Sequence, residues 1–264
     1  MFSVFYNSFD PNLKKLVRSM DPFVICIAGL TAQIYPLFLS TREYCKKYLI
    51  NAHPELSIQV TSEDLLYEQR MLDIEAEEEG LKRRKFTDPF LERASIQRKL
   101  AEELLKRNVL MIHGSTVALD GEAYMFTASC GTGKSTHTRL WREAFGDRTQ
   151  MVNDDKPFLE IKPDSVIAHG SPWSGKHGLD TNISVPLKGI CVLHRGPENV
   201  IRQLYAEEAM EMLLHQSYLP ETDWENAVTL LKQLAEIIPL WEMECTKDLE
   251  AAYVALRGMS GSII

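Results

Sequence analysis

Short apolar runs bounded by turn residues make up most of the chain from Val109 onward. Runs of this length are typical of β-strands, whereas longer stretches with apolar residues three or four positions apart are typical of helices. The predicted strands cover residues 109–112, 115–119, 122–127, 149–153, 158–161, 166–169, 188–193 and 240–243. The predicted helices cover residues 136–145, 207–216, 223–237 and 247–257. Between two of the strands, Asp120-Gly121 predicts a tight hairpin turn, because both residues tolerate positive φ. We therefore expect an α/β core with a mostly helical C-terminal tail.

The first hundred residues predict a smaller α/β region. Its strands are expected at 23–29 and 56–61, and its helices at 41–49, 62–79 and 89–107. The last helix begins at Asp88-Pro89, a favourable cap and first-turn pair. The sequence therefore predicts two domains, an N-terminal α/β region over residues 1–104 and a second domain over residues 105–264.

Composition is that of an ordinary globular protein, with 45% hydrophobic and 25% charged residues among 264. No apolar run approaches the length of a membrane span, and the N-terminus lacks the pattern of a signal peptide. The five cysteines are scattered and form no CxxC pair, so we expect free thiols and no zinc site. We accordingly expect a cytoplasmic protein without a membrane partner.

The acidic excess lies in the second half of the chain. Residues 1–108 carry 16 basic and 16 acidic side chains, so the net charge of −8 comes from the remaining residues. A nucleic-acid partner would require a basic face there. The charge distribution therefore argues against a helicase or any other protein that binds nucleic acid.

The segment from Ala128 to Ser135 fits the phosphate-binding P-loop pattern [AG]-x4-G-K-[ST]. It follows a predicted strand and precedes a predicted helix, the context in which backbone N–H groups and a helix N-terminus can bind phosphate. In such a loop Lys134 would reach the β- and γ-phosphates, and Ser135 would bind Mg²⁺. The alternative is an ordinary glycine-containing turn. The residues predicted to bind ATP are Ser129, Cys130, Gly131, Thr132, Gly133, Lys134, Ser135 and Thr136.

Two further candidate segments flank the P-loop at equal distances from Lys134. Asn153-Asp154-Asp155 follows a predicted strand, and phosphoryl transfer needs one acidic group for Mg²⁺ and another for the proton of the attacking hydroxyl. On the other side, His113 stands where a predicted strand ends. Asp154 and Asp155 could instead open a turn, and a lone histidine is often only a packed residue.

These three segments together resemble the HPr kinase/phosphorylase family and its relatives, which include lasso-peptide kinases. The segments are Met111-Ile-His-Gly114, Cys130 to Ser135, and Val152-Asn-Asp-Asp155. The resemblance covers about residues 105–200, whereas residues 1–104 do not resemble the N-terminal domain of HPr kinase. It implies a mixed-sheet P-loop kinase core of the fold group that HPr kinase shares with phosphoenolpyruvate carboxykinase.

The resemblance also implies roles for individual residues. It places His113, Lys134 and Asp155 in the active site, with Asp155 as proton acceptor and Ser135 as a magnesium ligand. We assign Asp154 to the metal as well. ATP and Mg²⁺ are the implied cofactors, and the family suggests a homo-oligomer built from the kinase core.

The sequence departs from the family pattern at two places. Its loop begins with Ala128 where the family has glycine, which is tolerated if the φ of Ala128 is negative. The stretch Ser174-Gly-Lys-His-Gly-Leu-Asp180 lacks the magnesium-binding glutamate of HPr kinases, so Asp154 or Asp180 would have to replace it. The resemblance therefore does not extend to HPr as substrate or to the reverse phosphorylase reaction.

Three cations are candidates for contacts with the phosphate or the substrate, namely Lys176, His177 and Arg195. Solvated loop residues are the alternative. The loop that carries the first two also contains Trp173 and many small residues, a composition that suits a substrate flap.

The leading hypothesis is an ATP-dependent kinase that phosphorylates a serine-like hydroxyl of a protein or peptide. A kinase of the same fold that acts on free serine or a metabolite is the second hypothesis. A nucleotide-binding module without catalysis is the third, because the glutamate is missing. Transfer from ATP to peptide or to small acceptors separates the first two, and binding without transfer favours the third.

Overall fold

The structure is a computed structural model, which describes residues 21–78, 80–129 and 131–261. The chain divides into two compact units, Met1–Leu100 and Ala101–Ile264. Residues 1–20 of the predicted N-terminal domain lie outside the described residues. Within the described ranges, no helix combines the length and the apolar character that crossing a membrane requires.

The first unit contains a three-stranded sheet in the order β1-β2-β3. Its strands are β1 (Phe23–Ile27), β2 (Leu30–Tyr35) and β3 (Leu56–Gln59), and its helices are α1 (Leu39–Tyr44), α2 (Ser62–Glu78) and α3 (Asp88–Leu105), the last of which ends in the second unit. Strand β2 was not among the predicted strands. It pairs with β1 through a turn at Ala28 and Gly29, which have φ of 48° and 80°. Alanine rarely adopts positive φ, so this pair is a poor hairpin signal in a sequence.

The second unit alternates strands and helices around one nine-stranded sheet. Its strands are β4 (Val109–Met111), β5 (Ser115–Leu119), β6 (Glu122–Thr127), β7 (Thr149–Asn153), β8 (Phe158–Ile161), β9 (Val166–His169), β10 (Ser184–Arg195), β11 (Val200–Leu204) and β12 (Leu240–Cys245). Its helices are α4 (Lys134–Phe145), α5 (Ala206–Gln216), α6 (Trp224–Ile237) and α7 (Glu250–Ser260). The predicted hairpin at Asp120-Gly121 is confirmed, since both residues have positive φ and β5 pairs antiparallel with β6.

Both faces of this sheet are covered by helices. Along β6, Ala123 and Met125 belong to a core cluster that includes Leu230 and Leu234 of α6. The alternate residues Tyr124 and Phe126 belong to a second cluster, with Trp141 of α4 and Ala255 of α7. Successive side chains of a strand point to opposite faces, so this alternation buries β6 on both sides. The second unit is therefore a mixed sheet between two layers of helices.

The chain before the C-terminal tail contributes more strand than the sequence predicted. Strand β10 extends well beyond the predicted 188–193, because it continues through Pro186 and past a register shift near Gly189. Strand β11 was not predicted at all, and it pairs with β12 at the edge of the sheet. From Ala206 onward the part of the chain that the structure describes has three α-helices and strand β12, as the sequence predicted, so strand β11 and the extension of β10 both precede the tail.

Candidate active site

Strand directions bring the three candidate segments to one edge of the sheet. Strand β5 runs antiparallel to both β6 and β7, so β6 and β7 run in the same direction. The P-loop follows the end of β6, and Asp154 and Asp155 follow the end of β7. His113 precedes the start of β5, which lies at the same edge because β5 runs the opposite way. Segments that are far apart in sequence thus meet through sheet topology.

The segment with the P-loop pattern, called the P-loop below, connects β6 to α4, and α4 begins at Lys134. Gly133, the residue before it, has φ of 134°, a conformation that only glycine adopts without strain. Ala128 is buried and has no positive φ, so alanine is compatible with the start of the loop. Lys134 Nζ donates a hydrogen bond to the Ala128 carbonyl at 2.9 Å, which folds the lysine back over the loop. Cys130 lies outside the described residues.

Arg195 donates hydrogen bonds to the backbone of the P-loop. It stands at the end of β10, which runs parallel to β6 and is paired with it. Its guanidinium donates to the Thr132 carbonyl at 3.2 Å and to the Gly131 carbonyl. In a trans peptide the N–H points away from the carbonyl, so a carbonyl of Thr132 turned toward Arg195 turns the next N–H, that of Gly133, to the other side. Arg195 therefore contacts the loop backbone and shapes it.

Asp154 lies buried between the start of β5 and the first turn of α4. Its Oδ1 accepts a hydrogen bond from Ser115 Oγ at 2.5 Å. Burial raises the pKa of Asp154, and the interactions of its carboxyl group with Ser115, Ser135 and the charge of His177 only partly oppose that rise. A buried carboxylate beside a hydroxyl is an oxygen site suited to a hard cation.

Asn153 sets the shape of the double-aspartate segment. Its Oδ1 accepts hydrogen bonds from the backbone N–H of Asp155 at 2.8 Å and of Lys156 at 2.7 Å. Its Nδ2 donates to the carbonyl and the hydroxyl of the buried Ser171. A turn is therefore present in this segment, but Asn153 rather than an aspartate opens it. The turn directs the two aspartates to different partners, so the turn and the site coexist.

Asp155 is paired with His113. The distance from His113 Nε2 to Asp155 Oδ1 is 3.2 Å, and both side chains are about one-third exposed. Burial would raise the pKa of Asp155, but the His113 hydrogen bond and the charges of Lys156 and Lys134 outweigh it and lower that pKa. Burial also lowers the pKa of His113, more than Asp155 raises it. At neutral pH the pair is therefore a neutral imidazole that donates Nε2–H to an ionised carboxylate.

Three hydrogen bonds fix the position of the backbone at His113 and Gly114. The His113 N–H donates to the Gln216 carbonyl at 2.7 Å, and the His113 carbonyl accepts from Thr127 Oγ1 at 2.8 Å. The next residue, Gly114, donates its N–H to the Asp155 carbonyl at 2.9 Å. A Cβ at Gly114 would lie 2.3 Å from Met125 Cε and 3.0 Å from the Phe126 carbonyl oxygen. Only glycine allows the His113 segment to pass this close to β6.

The loop expected to act as a flap is largely packed against the aspartate segment. Trp173 is only 6% exposed, and its carbonyl accepts the Lys156 N–H at 3.1 Å. Farther along the loop, Ser174 Oγ donates to Asp180 Oδ1 at 2.7 Å. The tryptophan of the loop predicted as a flap is therefore packed in this structure. The exposed part of the loop is limited to residues 175–178, which include Lys176 and His177.

The structure brings His113, Lys134, Ser135, Asp154 and Asp155 together at one edge of the sheet. The other described P-loop residues lie in the loop or the first turn of α4, and they are Ser129, Gly131, Thr132, Gly133 and Thr136. Sequence reasoning missed the contributions of Ser115, Thr138 and Asn153. The available signal was a polar residue at a buried position of an apolar strand, as at Ser115.

A protein-family profile described as "SynChlorMet cassette protein ScmC" matches residues 91–240 of the 264-residue chain. Among solved structures, the chain is similar to the "Hpr(Ser) kinase/phosphatase from Coxiella burnetii". That match has 12% identity and a TM-score of 0.33, and it covers 55% of this chain and 87% of the other. Such values are too low for the activity of that enzyme to be transferred to this chain. No curated protein matches the sequence.

Proposed function

The chain belongs to the ScmC family, and we propose that it is an ATP-dependent phosphotransferase that acts through its P-loop and double-aspartate segment. The main observation in support of the proposal is that the two aspartates have different side-chain partners. The carboxyl group of Asp154 interacts with the side chain of Ser135 at the start of α4, whereas Asp155 is paired with His113. Phosphoryl transfer requires these two kinds of carboxylate, one for the metal and one for the proton of the acceptor.

The donor set fits a nucleotide triphosphate with magnesium. The N-terminus of α4 and the N–H groups of the glycine-containing loop favour phosphate oxygens. Ser135 and Asp154 offer a hydroxyl and a carboxylate, the hard oxygen ligands that Mg²⁺ takes together with phosphate oxygens and water. When bound, Mg²⁺ would neutralise charge on the phosphates and orient them. Lys134 would leave the Ala128 carbonyl to reach the phosphates.

Asp155 is proposed as the general base. Its lowered pKa keeps it ionised at neutral pH, and His113 occupies Oδ1 and leaves the other oxygen for the acceptor hydroxyl. As the acceptor oxygen bonds to the γ-phosphorus, the bond from that phosphorus to the bridging oxygen of ADP breaks. The hydroxyl proton passes to Asp155 late in this loose transition state. His113 orients the carboxylate and, as a neutral donor, does not itself take the proton.

The acceptor is proposed to be a serine-like hydroxyl of a protein or peptide. The exposed loop residues Lys176 and His177 follow Gly175 in the chain. A Cβ atom added to Gly175 would lie 3.3 Å from Asp155 Cβ, so this part of the loop is next to Asp155. They are therefore positioned to contact an acceptor or the transferring phosphoryl group. A small hydroxyl compound, such as free serine, is the alternative acceptor for the same chemistry.

Nucleotide binding is tested by calorimetry of ATP with Mg²⁺ on the wild type and on Lys134→Ala. A charge-assisted contact to phosphate contributes about 1.5 to 3 kcal/mol, so the affinity is expected to fall roughly tenfold to 150-fold. Lys188→Ala is the matched control, because Lys188 is half exposed and pairs with Glu122 away from the loop. Equal affinity in Lys134→Ala and the control would contradict the P-loop assignment.

Transfer is tested with γ-labelled ATP on hydroxyl-containing peptides and on small hydroxyl compounds in parallel. Labelled peptides support the proposed acceptor class, and labelled small compounds alone would support the second. Binding of ATP without transfer to either class, in a protein with intact Asp155, would favour a nucleotide-binding module.

A further inference from the structure

A chain of buried hydrogen bonds connects strand β5, helix α4 and Asp154. Ser115 Oγ lies 2.5 Å from Asp154 Oδ1 and 2.8 Å from Thr138 Oγ1. Ser115 has no exposed surface, and Thr138 and Asp154 are 1% and 6% exposed. The P-loop pattern ends at Ser135, so it accounts for neither Ser115 nor Thr138.

The direction of this chain follows from the number of protons available. An ionised Asp154 can only accept, so the single proton of the Ser115 hydroxyl is directed at the carboxylate. Thr138 must then donate to Ser115 Oγ, because Ser115 has no second proton. The contacts of Thr138 Oγ1 with the Lys134 and Ser135 carbonyls are longer, at 3.4 Å each. Thr138 thus donates to Ser115, and Ser115 donates to Asp154.

Sheet geometry explains why Ser115 can join the two elements. In β5, Val117 and Leu119 belong to the core cluster that packs on α4. Ser115 has the same parity along the strand and therefore faces α4, where it meets Thr138. The hydroxyl is inserted between the helix that begins the nucleotide site and the carboxylate at the end of β7.

We propose that Ser115 and Thr138 are positioning residues for the Mg²⁺–nucleotide complex: they hold Asp154 in the orientation that binds metal together with Ser135. This inference rests on the proposed function, since it adds two residues to the same metal site. Hydrogen-bond partners that orient a metal ligand typically change metal affinity by about 10- to 100-fold when removed. Both hydroxyls are buried and lead to Asp154, so we expect the effect to be specific to the metal.

Thr116 provides a matched control within the same strand. It is fully buried, like Ser115, but its hydroxyl has no hydrogen-bond partner among the residues that the structure describes. Its side chain points to the opposite face of the sheet. Thr116→Val therefore removes a buried hydroxyl from β5 and leaves the hydrogen bonds that link Thr138, Ser115 and Asp154 unchanged. Thr138→Ser is the second control, because it keeps the hydroxyl that Thr138→Val removes.

The test measures the affinity of the full-length protein for Mn²⁺–ATP by electron paramagnetic resonance, and for metal-free ATP by calorimetry. Ser115→Ala is expected to weaken Mn²⁺–ATP binding about 10- to 100-fold and to change metal-free ATP binding less than about twofold. Thr138→Val is expected to weaken Mn²⁺–ATP binding less than Ser115→Ala does and to change metal-free ATP binding less than about twofold. Thr116→Val and Thr138→Ser are expected to match the wild type.

Wild-type affinity for Mn²⁺–ATP in both Ser115→Ala and Thr138→Val would overturn the inference. Equal loss for Mn²⁺–ATP and metal-free ATP would also overturn it, because the effect would then be general damage to the fold. If Ser115→Ala does not fold, the comparison of Mn²⁺–ATP affinity between Thr138→Val and Thr138→Ser tests the inference. Equal affinities in these two variants would overturn it. A wild type that binds no ATP at all would instead refute the proposed function, and the inference would fall with it.

Discussion

Asp155→Asn is expected to remove phosphoryl transfer while nucleotide binding stays nearly intact. Asparagine has the size of aspartate and can present its amide oxygen to His113 Nε2, which lies 3.2 Å from the carboxylate in the wild type. The backbone N–H and carbonyl of residue 155 keep their bonds to Asn153 and Gly114. The substitution therefore preserves the shape of the segment and removes only the ability to accept a proton.

The size of the effect follows from the role of a general base. Loss of that role typically lowers the rate about 10²- to 10⁴-fold, which corresponds to about 2.7 to 5.4 kcal/mol of transition-state stabilisation. Binding is expected to change much less, because the carboxylate of Asp155 is directed at His113.

The assay is single-turnover transfer from labelled ATP to an identified acceptor, with ATP affinity measured on the same preparations. Lys188→Ala serves again as the control for an unrelated charge. Transfer by Asp155→Asn within tenfold of the wild type would refute the assignment of the base. If Asp154→Asn abolished transfer at every Mg²⁺ concentration while Asp155→Asn did not, the two carboxylates would have to exchange roles.

Three further outcomes are expected. Asp154→Asn should raise the Mg²⁺ concentration needed for half-maximal transfer, and a magnesium titration with an unchanged requirement would contradict its assignment to the metal. Trp141→Ala should destabilise the protein by about 3 to 5 kcal/mol in urea unfolding, because Trp141 has no exposed surface. Trp224→Ala, at a side chain that is 48% exposed, should change stability by no more than about 0.5 kcal/mol, and similar losses in both variants would argue against the core position of Trp141. Burial would raise the pKa of Asp64, but the hydrogen bond from Lys99 and those from its neighbours lower it. A lowered pKa adds stability above the ordinary pKa of about 3.9 and loses it as the pH falls through that of the folded state. Asp64→Asn should therefore lose less stability than the wild type between pH 6 and pH 3 in circular dichroism, and parallel curves would contradict this.

The local sequence pattern was sufficient to predict the strands and the helix around the P-loop. Strands β5, β6 and β7 have the predicted bounds, and helix α4 differs only in beginning two residues earlier, at Lys134. These strands are buried apolar runs with strong turn residues between them, so the information lies within a few neighbouring residues. The same is true of the P-loop pattern, whose glycines and lysine are adjacent in the chain.

Strands with weak local signals were missed or shortened. In β11, Val200 is 57% exposed, so this edge strand lacks a clear apolar pattern. Strand β10 contains Pro186 and Gly189, which locally favour a strand end. In each case the pairing with neighbouring strands determines the structure, and pairing partners are distant in sequence.

The arrangement of the site itself depended on tertiary structure. The sequence alone named His113 and Asp155 as candidates, but only the antiparallel course of β5 between β6 and β7 brings His113 within 3.2 Å of Asp155. The contact between Ser115 and Asp154 joins residues 39 positions apart. Residue type and spacing can name candidates for the groups that perform chemistry. Which of them share a hydrogen bond is decided by strand register and by which face of the sheet each side chain occupies, because those determine the distances between them.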